Sequence, residues 1–132
     1  MSANFAAAFD ALRIVMLNAA PMMVVARDEP GNLLLQATWT EKRKTVPFFF
    51  GQVMVRKSYV AFHLMPLYYC AQLESHVTEA LRVRRQGKTC FNVKRIDEIV
   101  CTDLRHLTEQ CAALDSEVRR LLGAPQAPPG CA

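Results

Sequence analysis

The hydrophobic period of this chain switches repeatedly between helical and twofold, and that switching constrains the fold more than any other feature. Phe5, Ala8, Phe9, Leu12, Val15, Met16 and Ala19 recur every three or four positions, the apolar stripe of an amphipathic helix. Ser2 can cap its start and Pro21 forbids its continuation, so a helix is predicted from about Asn4 to Ala19. From Met22 onward the period is two. Met22–Arg27 reads as a strand, and Asp28-Glu29-Pro30-Gly31-Asn32 as a turn, with Pro at its second position and Gly at its third. Leu33, Leu35, Ala37 and Trp39 alternate with Leu34, Gln36, Thr38 and Thr40 in a second strand. After a charged loop over Glu41–Thr45, Phe48–Arg56 and Tyr59–Met65 form a third and a fourth strand, close enough for an antiparallel hairpin. Pro66 ends the fourth, and Leu67–His76 is ambiguous, with one helical turn.

Helical signals then return. Thr78 is a good N-cap, Glu79 suits the first turn, Arg82, Arg84 and Arg85 suit the last, and Gly87 can close the helix. Lys88–Lys94 reads as a fifth strand. Leu104, Leu107, Cys111, Leu114, Val118 and Leu121 mark a final helix, capped by Thr102 and stopped by Gly123. Hairpin-linked strands favour an antiparallel sheet, and two amphipathic helices can cover one of its faces. The expected fold is therefore α+β, a two-layer sandwich: an antiparallel sheet of about five strands with the N- and C-terminal helices on one face. A chain of 132 residues suits one domain. That domain is expected over residues 1–122, with a flexible proline-rich tail over 123–132.

Such a chain is long enough to bury a core without staples. Its five cysteines are odd in number and show no C-x-x-C spacing, so neither a disulfide framework nor a zinc knuckle is expected. With no signal peptide legible and no apolar run long enough to span a bilayer, the expected compartment is the reducing cytoplasm, without membrane attachment.

The net charge of +4 is a mild excess. Its densest clusters are Lys42, Arg43 and Lys44, and Arg82, Arg84, Arg85 and Lys88. These read as solvated turns and a helix surface, or as a footprint for an anion or nucleic acid. Gly87-Lys88 is not a phosphate loop, because the strand follows it instead of preceding it. His63 shares a strand face with Tyr59, Ala61 and Met65 and suits a hydrogen-bonded structural role, or a base or ligand. His76 falls in a loop, and His106 lies off the leucine stripe. Cys90 follows Lys88 closely, but no base stands legibly beside it, so a passive thiol is expected. Tyr59, Tyr68, Tyr69 and Trp39 can line a pocket with His63 and Asn92, since ligand pockets pair aromatic walls with a few polar groups.

Arg56-Lys57-Ser58-Tyr59-Val60, Phe62-His63-Leu64-Met65-Pro66 with Tyr68, and Gln86-Gly87-Lys88 followed by Cys90-Phe91-Asn92 carry a resemblance. Over Phe50–Leu107 the chain resembles the YdhG-like family of small proteins, whose fold is similar to frataxin. The resemblance implies a helix-flanked antiparallel sheet and no catalytic residues. It also implies iron as a candidate metal. The first helix, however, has Asp10 as its one carboxylate and offers no ridge of hard oxygen ligands, so no resident cofactor is expected. The leading expectation is a non-enzymatic protein binding a small ligand or metal through Tyr59, His63, Tyr68, Lys88 and Asn92. The second is an anion- or nucleic-acid-binding module using Arg82, Arg84, Arg85, Lys88 and Lys42–Lys44. The third is a homodimeric interaction module.

Overall fold

A computed structural model describes residues 3–125. Ser2 and residues 126–132 of the expected tail lie outside the described residues. The first helix, α1 (Ala3–Ala19), buries Ala8, Phe9, Leu12 and Met16. Strands β1 (Val24–Glu29) and β2 (Asn32–Thr40) pair through a turn as short as Pro30-Gly31, with Glu29 opposite Asn32 and Gly31 at φ 77°. Proline presets the second turn position and glycine takes the positive φ of the third. Strands β3 (Pro47–Val55) and β4 (Val60–Leu64) form the second hairpin, Val55 opposite Val60.

Three short helices follow: α2 (Pro66–Tyr69), a 3₁₀ helix (Ala71–His76) and α3 (Glu79–Arg82). Then come β5 (Arg85–Gln86), β6 (Cys90–Val93), α4 (Glu98–Ala113) and α5 (Asp115–Leu122). All pairings in the sheet are antiparallel, in the order β1-β2-β3-β4-β6-β5. The α+β sandwich is as expected: α1 packs on β3, β4 and α4, leaving the other sheet face open. Phe50, Phe62, Phe91, Leu33 and Leu35 face α1 and α4 from the sheet, all fully buried.

The sheet has a sixth strand, β5, where the helix after Thr78 was expected to run on to Gly87. Thr78 does cap that helix, its Oγ1 accepting from the Leu81 N–H, but the helix ends after one turn. Arg84 O accepts from Asn92 N–H, and Arg85 pairs with Phe91. Sheet pairing with β6 satisfies these backbone groups better than a short exposed helix would. Gly87, at φ 68°, turns the β5–β6 hairpin instead of ending a helix.

The C-terminal helix also differs. Its cap is Asp97, not Thr102: one Asp97 carboxylate oxygen accepts from Ile99 N–H at 2.9 Å and Val100 N–H at 3.2 Å. Aspartate is the stronger cap, so the helix begins four residues before Thr102. It breaks at Leu114 (φ −94°, ψ 13°) and restarts as α5. Leu104, Leu107, Cys111 and Val118 keep the stripe buried, but the break turns Leu121 outward, 49% exposed. Trp39 Nε1 donates to Asp115 at 2.9 Å and ties α5 to β2, while Gly123 bridges to Glu41.

Candidate functional site

The open sheet face is built by the outward residues of β3, β4 and β6. Alternation places Gln52 and Met54, Ala61 and His63, and Cys90 and Asn92 on this face, opposite the core-facing Val53, Phe62 and Phe91. Register sets them side by side: Ala61 faces Asn92 and His63 faces Cys90. Together with Arg56, Tyr59 and Gln86 they line a shallow depression of about 100 Å³.

A second, larger groove of about 630 Å³ adjoins it and shares Gln86 and Asn92. It is lined further by Val83, Arg84, Arg85, Lys94, Arg95, Ile96 and Asp97. The cationic residues gather there for a topological reason. Val60 pairs with Val93, and Arg56 N–H donates to Tyr59 O. The Arg56–Lys57 turn and the Lys94–Arg95 exit from β6 therefore lie at one end of adjacent strands, with Arg84 entering β5 beside them. The volume lies within the roughly 300–1,000 Å³ common for small-ligand sites.

His63 is half-buried. Its Nε2 lies 2.7 Å from Thr89 Oγ1, and its ring meets Phe49 edge-on at a 5.1 Å centroid distance. Burial, and then the Arg56 charge, push its pKa below the ordinary imidazole value of 6.5. It is neutral at pH 7, with one ring nitrogen engaged by Thr89. The consequence for stability has a definite sign. As pH falls below 6.5 the unfolded chain takes up a proton that folded His63 resists, so stability falls. His63→Gln should flatten this part of the profile. Urea melts at pH 7.5 and 5.5 check it, the expected result being a larger acid loss in the wild type than in the variant.

Cys90 Sγ donates weakly to Asn92 Oδ1 at 3.7 Å. Burial raises its thiol pKa and Arg56 only partly offsets this, so the thiolate is disfavoured at neutral pH. No group of three or more His, Cys, Asp or Glu among the described residues is placed to hold a metal ion. The four cysteines among the described residues are free, and no helix there is long and apolar enough to cross a membrane.

The fold brings Tyr59, His63 and Asn92 together and sets Tyr68 and Lys88 aside. Tyr68, on α2, is 57% exposed, with Lys88 Nζ 5.7 Å from its ring centroid and Tyr69 packed edge-on against it. Neither residue lines the two grooves. Trp39 is on the core face, stacked on Phe48 at 4.8 Å, and so cannot line a pocket with His63. The two basic clusters do not merge either. Lys42, Arg43 and Lys44 lie in the β2–β3 loop, where Lys42 N–H donates to Leu122 O and Lys44 pairs with Glu41 at 3.0 Å. Strands β4 and β6 separate that loop from β5.

Within the second cluster two arginines are already engaged. Arg82 binds Glu79 and Val77 O, and Arg85 binds both Glu74 oxygens at 2.7 Å and Lys88 O. Arg84 donates to Ala80 O and stands 3.7 Å from Asp97. Lys94 and Arg95, which composition by clusters passed over, have no carboxylate partner among the described residues. The available signal was their adjacency just after a strand, at the point where the chain leaves the sheet.

No protein-family model, curated protein or solved structure matches the chain.

Proposed function

We propose that this chain is a non-enzymatic binding protein for a small anionic ligand held where the two grooves meet. The observation that supports it is the charge balance of the larger groove. Arg84, Arg85, Lys94 and Arg95 line it against the single carboxylate of Asp97, and of these Arg85 is already engaged by Glu74. Guanidinium and ammonium groups suit phosphate or carboxylate oxygens, and the amides of Gln86 and Asn92 add neutral donors. Tyr59 and Met54 supply apolar surface for the rest of a ligand. This keeps the ligand-binding reading of Tyr59, His63 and Asn92 and gives the ligand a charge. A helix-flanked antiparallel sheet with a polar open face is also what supports the YdhG-like affinity we propose for the chain. A catalytic reading has less support, because Cys90 is held as a thiol and the His63 Nε2 is taken by Thr89.

Thermal-shift and calorimetric titrations with inorganic phosphate and a nucleoside triphosphate provide the test. A saturable ligand at ~100 times its Kd should add about 2.7 kcal/mol, or several degrees. Combined Lys94→Gln and Arg95→Gln should weaken binding by about 10- to 100-fold, some 1.4–2.8 kcal/mol. Unchanged affinity in that variant would overturn the assignment. Binding confined to long nucleic acids and lost steeply with salt would move the reading to a polyelectrolyte surface.

A further inference from the structure

A pair of histidines on the helical side of the molecule belongs to neither groove. His76 ends the 3₁₀ helix and His106 lies in the middle of α4. His76 Nδ1 and His106 Nε2 stand 3.1 Å apart, with ring centroids at 5.1 Å and planes tilted by 58°. Thirty residues separate them in sequence, so their meeting is set by packing. Buried Leu73 and Val77 anchor the His76 segment, and buried Leu104 and Leu107 anchor the His106 segment. Thr78 Oγ1 donates to Asp103 Oδ2 at 2.7 Å and ties the same two segments one helical turn away.

We propose that this pair is a surface site for a divalent transition-metal ion of the imidazole-preferring kind, such as Zn²⁺ or Ni²⁺. Two imidazole nitrogens on one ion at 2.0–2.1 Å lie about 3.3 Å apart at a tetrahedral angle and about 2.9 Å apart at a right angle. The observed 3.1 Å falls between these values. Without metal the rings share one hydrogen bond. When the ion enters, both facing nitrogens must present lone pairs, so the proton on the donor ring moves to its other nitrogen and any further proton on either facing nitrogen is released. No third His, Cys, Asp or Glu among the described residues completes the set, so the remaining positions belong to water or to a ligand from another molecule, and affinity is modest.

The test is a Zn²⁺ titration by calorimetry on the full chain and on His76→Ala and His106→Ala, with a Co²⁺ titration followed by absorption. Both side chains reach the surface, and circular dichroism confirms that each variant folds. One ion per chain is expected, weakened at least tenfold by either substitution, with a Co²⁺ spectrum lacking the thiolate charge-transfer band. Wild-type affinity in either variant overturns the site. So does a thiolate band at the first equivalent, which would assign the metal to cysteine.

Discussion

Replacing Gly51 by valine is expected to destabilise the fold by about 3 kcal/mol, read as a lower urea midpoint at nearly constant slope. Gly51 sits in the middle of β3, paired with Leu35 on one side and Leu64 on the other. A Cβ there would lie 2.8 Å from the His63 carbonyl oxygen and 3.0 Å from Met16 Cε. The methionine is flexible and can yield. The carbonyl belongs to the neighbouring strand and cannot move without disturbing the β3–β4 ladder. Valine is a better strand residue than glycine, but that preference spans only about 1 kcal/mol and loses to the clash. The same contact sets how closely β4 approaches β3, and so where His63 stands on the open face. A valine variant as stable as the wild type would mean that this close approach has no structural role.

Phe62→Ala is expected to cost about 3–5 kcal/mol, a large part of the 5–15 kcal/mol typical of a whole domain. Phe62 is fully buried at the centre of the sheet, paired with Val53 on β3 and Phe91 on β6. Truncation leaves a ring-sized void between strands whose pairing limits collapse. At a urea slope of roughly 1–3 kcal/mol per molar, the midpoint should drop by about 2 M. Phe62→Leu, which retains most of the volume, should cost much less. Equal losses in the two variants would show that cavity volume is not what the site senses.

The elements with a sustained period were legible in the chain. The α1 stripe, the alternation of β2 and the Pro30-Gly31 turn are local patterns, and they folded where the residues placed them. The elements that depend on a distant partner were not. β5 is two residues long and exists because Arg84 and Arg85 find β6, whereas the local signals there read as helix. Thr102 was read as the cap of the final helix, and Asp97 caps it instead. For the candidate site, Tyr59, His63 and Asn92 were named as aromatic and polar groups suited to a pocket, and strand alternation brings them to one side of the sheet. Tyr68 and Lys88 were near them in sequence but belong to another surface.

By itself, then, the sequence determined the α+β class, the order of the major elements and the faces to which the side chains of β2 and β4 point. All three follow from hydrophobic period and turn chemistry, which act within a few residues. Tertiary structure alone decided which charges are spent and which remain. Arg85 is neutralised by Glu74 across eleven residues, while Lys94 and Arg95 are left at the groove. It also decided that His76 meets His106 across thirty. Pairings of that kind depend on how α4 packs against the 3₁₀ helix and how β6 joins β4, and no local pattern encodes either contact.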